Sequence, residues 1–139
     1  MELAPEIVAF VKKQPVGRLA TADAQGRPHV IPVCFVYENG AFYSAIDEKP
    51  KSTTRLKRLR NIADNPQVAL VIDVYQDDWS QLAWVMIQGT ATLHERGQDH
   101  PEILAALRQK YPAYKAMALE IRSLIEIVPE HVTNWEVFG

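Results

Sequence analysis

The chain has 139 residues, 47% of them hydrophobic, and its 15 Lys+Arg against 17 Asp+Glu leave a net charge of −2. That is ordinary globular composition and enough chain for one domain, residues 1–139, with a real core. No apolar run reaches the roughly 18 residues of a membrane span, and the acidic balance argues against a general nucleic-acid binder.

The opening "MELAPEIVAFVKKQP" has an acid at position 2 and charges around a short apolar stretch, which is not the pattern of a signal peptide. The lone cysteine, Cys34, excludes an internal disulfide and fits a reducing cytoplasm. Residues 5–14 read as an amphipathic helix with Ile7, Val8, Phe10 and Val11 on its apolar side, stopped by Pro15 and Gly17. "GRLATA" is a short strand, "DAQGR" a turn, and "PHVIPVCFVY" one long β-rich run in which Pro32 predicts an edge, a bulge or a backbone facing a ligand. Asn39-Gly40 then turns the chain into "AFYSAI".

Next comes "KPKSTTRLKRLRN", residues 49–61, with six basic side chains and no acid. It reads as the approach to a short helix, capped by Ser52, Thr53 or Thr54, with Leu56, Leu59, Ile62 and Ala63 as its buried stripe and "DNP" as its end. "QVALVIDVY" and "LAWVMIQGTATL" are two strong strands around "QDDWSQ". A helical block from about residue 99 to 119, broken at Tyr111-Pro112, precedes a last strand, "IRSLIEIVP", and a semi-apolar tail. About six strands, mostly joined by hairpins, with helices inserted between pairs, predict a mainly β, six-stranded antiparallel barrel with peripheral helices.

Much chemistry is missing. Six scattered glycines build neither a dinucleotide fingerprint nor a phosphate loop. His29, His94, His100 and His131 stand alone in the sequence, so no metal site is expected. Cys34 reads as a buried structural thiol inside a strand. No nucleophile motif appears, so an enzyme of this sequence would rely on a bound organic cofactor.

The basic segment admits three readings: a solvated helix, a nucleic-acid contact, or a site for the phosphate of a small molecule. An acidic surround weakens the second. The third fits best, with hydroxyls of Ser52 to Thr54, free N–H groups at the helix start and Arg or Lys side chains converging on one phosphate. Trp79 follows two acids in a loop, either as a core plug or as a wall stacking on a cofactor or substrate ring. Asp77 and Asp78 are solvated acids or partners of a cofactor hydroxyl or a basic group. Trp84 belongs to the core or a dimer interface.

The order "GRLATADAQGRPHVIPVCFVYENGAFYSAI", a basic segment, "NPQVALVID", "MIQGTATL" and "IEIVPEHVTNW" resembles the pyridoxamine-5′-phosphate-oxidase-like split-barrel family of flavin- and deazaflavin-binding proteins. "KPKSTTRLKRLRNIADNP" with "YQDDW" is similar to its subgroup dependent on the deazaflavin coenzyme F-420. The resemblance implies a split-barrel homodimer with two cofactor sites between subunits, binding FMN or F-420 and transferring a hydride to or from a small organic substrate. Non-catalytic FMN binding, as a carrier or sensor, is the alternative. It implies that Arg58, eight positions before Pro66, holds the cofactor phosphate, with Lys57 beside it and Arg55, Ser52, Thr53 and Thr54 in support. Backbone groups of Val30, Ile31, Pro32 and Val33 would run along the ring system, and Trp135 would pack near the partner subunit's cofactor. Ile31 stands where oxidases of pyridoxamine phosphate carry arginine, and their C-terminal arginine and histidine signature is not evident, so the resemblance does not extend to that substrate.

Overall fold

The computed structural model describes residues 1–46 and 56–135. Helix α1 spans Pro5–Lys13, with proline in its first turn, where a missing N–H breaks no helical bond. Ile7 and Val11, one turn apart, are buried and seat it on the core. Strands β1 (Gly17–Ala22) and β2 (Pro28–Val33) form a hairpin in whose turn Gly26 takes a φ of 81°. Asp23 braces that turn, accepting from the N–H groups of Gln25 and Arg27, both at 2.9 Å, and from Arg27 Nε at 2.7 Å. These bonds, the one from the Arg27 backbone above all, hold its carboxyl down at about 2.

Strands β3 (Val36–Glu38) and β4 (Ala41–Ala45) follow as a second hairpin. Its two turn residues, Asn39 and Gly40, have φ values of 53° and 82°, the left-handed pair that so tight a turn requires. Then come α2 (Lys57–Asp64), β5 (Gln67–Val74), β6 (Ala83–His94), α3 (Pro101–Lys110) and β7 (Leu124–Trp135). All strand pairs are antiparallel, in the order β2-β1-β5-β6-β7-β4-β3. Among the described residues, no helix is long and apolar enough to cross a membrane.

The fold is the expected split barrel, with seven strands among the described residues rather than six. The run read as one strand from Pro28 to Tyr37 is two, because β2 and β3 lie at opposite edges of the sheet. Only Cys34 and Phe35 connect them, so the two edges must come together without pairing. The sheet is rolled, and the split falls between β2 and β3. Pro32 therefore sits on an edge strand, where its missing N–H leaves no ladder bond unmade.

The tail is also a correction. β7 continues through "EHVTNW" to Trp135, because a bulge absorbs the irregularity at Pro129. Gln88 faces His131 and Gly89 faces Pro129, which leaves Glu130 as the extra residue. Gly89 has to be glycine, since a Cβ there would fall 2.2 Å from the Val128 carbonyl oxygen.

Two apolar clusters hold the molecule. The barrel interior collects Leu19, Phe35, Phe42, Leu70, Ile72, Val85, Ile87 and Ile125, closed by α1 and α2. The second lies outside β3, β4 and β7, where Ile103, Leu104 and Leu107 of α3 pack on Val36, Tyr43 and Leu124. Sidedness follows from register. Leu19 is fully buried and faces Ile31, so Arg18 opposite Pro32 and Ala20 opposite Val30 lie on the outer face.

Candidate functional site

Helix α2 begins at Lys57, after Leu56, and no side chain among the described residues caps it. Ser52, Thr53, Thr54 and Arg55, expected as caps and phosphate ligands, lie outside the described residues. The buried residues of α2 are Arg58, Leu59, Asn61 and Ile62, whereas Ala63, expected in the stripe, is exposed. A polar pair sets this rotation. Asn61 Nδ2 donates to Thr21 Oγ1 of β1 at 3.0 Å, and both residues are buried. Arg58 lies three and four positions before Asn61 and Ile62, hence on their face of the helix, and is only 7% exposed. Lys57 stays half-exposed, its Nζ donating to Asn61 Oδ1 at 3.4 Å and lying 4.0 Å from Asp23 Oδ2.

Arg58 lines two adjacent clefts. The first, of about 210 Å³, is bounded by Val16, Pro32, Val33, Cys34, Ser44 and Ala45 at the split. The second, of about 320 Å³, is bounded by His29, Ile31, Pro32, Leu56 and Lys57. Pro32 and Arg58 belong to both. The clefts thus meet at a buried guanidinium beside the unpaired edge of β2. Such an edge offers main-chain donors and acceptors, and the guanidinium offers a fixed positive charge.

The four β2 residues divide by face. Val30 is 61% exposed on the outside, Ile31 packs on the core and lines the second cleft, Pro32 lines both, and Val33 is buried against the first. Trp79 is 71% exposed on a 3₁₀ turn, Trp79–Gln81, between β5 and β6, and lines neither cleft. Asp78 holds that turn by accepting from Ser80 N–H at 3.0 Å and Ser80 Oγ at 2.7 Å, contacts that lower its pKa. Trp84 is on the outer face, opposite Asp73 on one side and Trp135 on the other. Trp135 is half-exposed and lies four strands from β2, about 19 Å along the sheet at the usual strand spacing. One chain therefore brings Val33, Pro32, Ile31, Lys57 and Arg58 together, and keeps Trp79 and Trp135 away from them.

Sequence reasoning passed over two cleft residues. His29 is two positions before Ile31 and shares its face of β2, a spacing that could have found it. Cys34, expected in a strand, is a half-buried residue of the link between β2 and β3 and borders the first cleft. Among the described residues no group of three His, Cys, Asp or Glu side chains is placed to hold a metal ion.

Residues 3–136 match the family model described as pyridoxamine 5′-phosphate oxidase. The chain belongs to this family. Within the family, the chain is 34% identical over 133 residues to the 5a,11a-dehydrotetracycline/5a,11a-dehydrooxytetracycline reductase of Streptomyces rimosus subsp. rimosus, a match that covers 95% of this chain and 82% of that one. Among solved structures, the haem storage protein HutZ of Vibrio cholerae superposes with a TM-score of 0.74 at 24% identity, over 97% of this chain and 94% of that one. An F-420 reductase superposes with a TM-score of 0.66 at 19% identity, over 90% and 94%. The last two likenesses are of fold.

Proposed function

We propose that this member of the pyridoxamine 5′-phosphate oxidase family is an oxidoreductase that binds FMN or deazaflavin F-420 and reduces a small organic acceptor. The observation that carries the reading is Arg58, a guanidinium only 7% exposed where two clefts meet against an edge strand. A buried permanent cation at an open cleft suits a phosphate, which it can meet with two parallel charge-assisted bonds. Arg58 and Lys57 would hold the phosphate, and the unpaired edge of β2 from Val30 to Val33 would orient the ring. When bound, such a coenzyme supplies the hydride chemistry; the chain's own part is to bind, to align and to exclude water.

Clefts of about 210 and 320 Å³ are at or below the small end of ligand sites, so one chain supplies half a pocket. The other half would come from a second copy docking its outer sheet face, with Trp135 and Trp79 as aromatic walls. The reductase relative supports turnover over simple carriage. A carrier would bind the same coenzyme yet show no multiple turnovers with a reductant and an acceptor.

Arg58→Ala should weaken FMN or F-420 binding by about ten- to a hundredfold, the worth of one or more charge-assisted bonds, and leave riboflavin binding nearly unchanged. Isothermal titration with each ligand checks this. Equal damage to riboflavin binding, or unchanged FMN affinity, defeats the phosphate reading. A chain that sediments as a monomer while binding coenzyme defeats the two-chain pocket.

A further inference from the structure

A cleft of about 320 Å³ lies away from the candidate site and shares no lining residue with its two clefts. It is bordered by Lys12 from the last turn of α1, Tyr37 and Glu38 from β3, and Gln109 and Lys110 from the end of α3. Its two lysines differ. Lys12 is exposed, as a surface ammonium ordinarily is, whereas Lys110 is half-buried. The Lys110 Nζ donates to the Phe35 carbonyl at 3.0 Å and lies 3.8 Å from the centre of the Phe35 ring and 5.4 Å from that of Tyr111. Among the described residues no carboxylate forms an ion pair with it, Glu38 of the same wall included.

One carbonyl and two rings replace only part of the water that an ammonium holds, so burial lowers the Lys110 pKa to about 8. The neutral amine fits the same geometry. It keeps a donor for the Phe35 carbonyl and gains a lone pair, which makes it a nucleophile. At pH 7.5 its neutral fraction is about two hundred times that of an ordinary lysine. A weaker base attacks more slowly, as thiols show, so the net gain in rate is smaller, about fivefold. Lys12 adds selectivity: an exposed ammonium on the wall of the same cleft attracts an electrophile that carries a phosphate.

We infer that Lys110 is an acyl-acceptor site, whose amine takes the acyl group of a small acyl phosphate held with its phosphate against Lys12. The Nζ lone pair attacks the acyl carbon and forms an amide C–N bond. The bond from that carbon to the bridging oxygen breaks, its electron pair leaves with inorganic phosphate, and the proton lost from Nζ ends on that phosphate. Nothing is oxidised or reduced. The modification removes a positive charge beside Phe35, in the link between β2 and β3 at the split. It does not rest on the proposed function.

The test is incubation of the full-length protein with acetyl phosphate, following the acetylation rate of each lysine by peptide mass spectrometry from about pH 7 to 10. Lys13 and Lys115, exposed and outside the cleft, are internal references. At pH 7.5 Lys110 should react about fivefold faster than either, and its rate should level off above about pH 8.5 while theirs keep rising. Lys12→Gln should slow acetyl phosphate at Lys110 about threefold and leave its reaction with uncharged para-nitrophenyl acetate unchanged. That substitution replaces an exposed side chain, and the wild-type rates and pH profile stand without it. Lys110 reacting no faster than the references, or a rate that climbs with theirs through the whole range, overturns the inference. So does an equal effect of Lys12→Gln on both acyl donors.

Discussion

Helices α2 and α3 both pack on the sheet and both carry buried or half-buried cations, yet they treat them differently. On α3, Arg108 commits all three guanidinium nitrogens to protein acceptors. Nε donates to the Tyr114 carbonyl at 3.2 Å, Nη1 to Glu120 at 2.7 Å, and Nη2 to Glu120 at 2.9 Å and the Met117 carbonyl at 2.7 Å. At the end of the same helix, Lys110 Nζ donates to the Phe35 carbonyl at 3.0 Å and lies 3.8 Å from the centre of the Phe35 ring. Tyr111 Oη accepts from Phe35 N–H at 3.0 Å and donates to the Pro15 carbonyl at 2.8 Å. On α2, by contrast, Arg58 faces two clefts. Arg108 ties segments of its own chain together, and Arg58 lies at a cleft wall, where the proposed function puts the coenzyme phosphate. Burial alone does not separate the two.

The strongest way to break this comparison is to remove each arginine. Arg108→Ala should destabilise the fold by about 2–3 kcal/mol, because it frees the Met117 and Tyr114 carbonyls together with Glu120. It should leave FMN affinity within about twofold. Arg58→Ala should do the reverse, with a tenfold or greater loss of affinity and a smaller shift in the urea midpoint. Unfolding curves and titrations on both variants decide it, and a common pattern in the two would erase the distinction.

A smaller effect is expected where α3 touches the split. Tyr111 Oη links Phe35, at the crossover from β2 to β3, to the Pro15 carbonyl before β1, next to Cys34 in the first cleft. Tyr111→Phe keeps the ring and removes those bonds, at a cost of about 1–2 kcal/mol. Amide exchange should then quicken at Phe35 more than in β6 or β7. Protection at Phe35 that does not change would mean that the apolar contacts of Phe35, not Tyr111, hold the split together.

How much of this could be read beforehand depends on distance along the chain. β1 was legible to the residue, and so was the Asn39-Gly40 turn, because alternation and turn chemistry are local. The opening helix was equally plain from Ile7 and Val11. The break at Cys34–Phe35 was not, since it exists only because β5, β6, β7 and β4 intervene between two edges that then meet. The extension of β7 depended on a bulge facing Gly89, which is forty positions before Pro129 in the chain but adjacent to it in space. At the site, the resemblance supplied Arg58, but its burial came from the Asn61–Thr21 bond, a contact across forty positions. His29 was dismissed as an isolated histidine because its company comes from α2.

The smallest effect concerns protons. Burial pushes the Lys110 ammonium down to about 8, while an unfolded lysine titrates near 10.4. Between those values the unfolded chain binds more protons than the folded one, so the contribution of Lys110 makes stability rise with pH. Asp23, held down at about 2, also yields a rise with pH, but between about 2 and 4, where its protonation withdraws a stabilising charge. The two slopes have opposite meanings at neutral pH: the charge on Asp23 helps the fold, whereas the charge on Lys110 is carried at a cost. Lys110 keeps some contact with water, so its rise should be well below the ~1.4 kcal/mol per pH unit of a fully buried group. The useful window closes near pH 9.5, because Tyr111, pushed up to about 12 by burial, opposes the trend above about 10. Urea midpoints at pH 8 and 9.5 should therefore increase slightly in the wild type and stay level in Lys110→Met. An equal increase in both would show that the alkaline slope arises elsewhere and that Lys110, like Arg108, is comfortably charged where it sits.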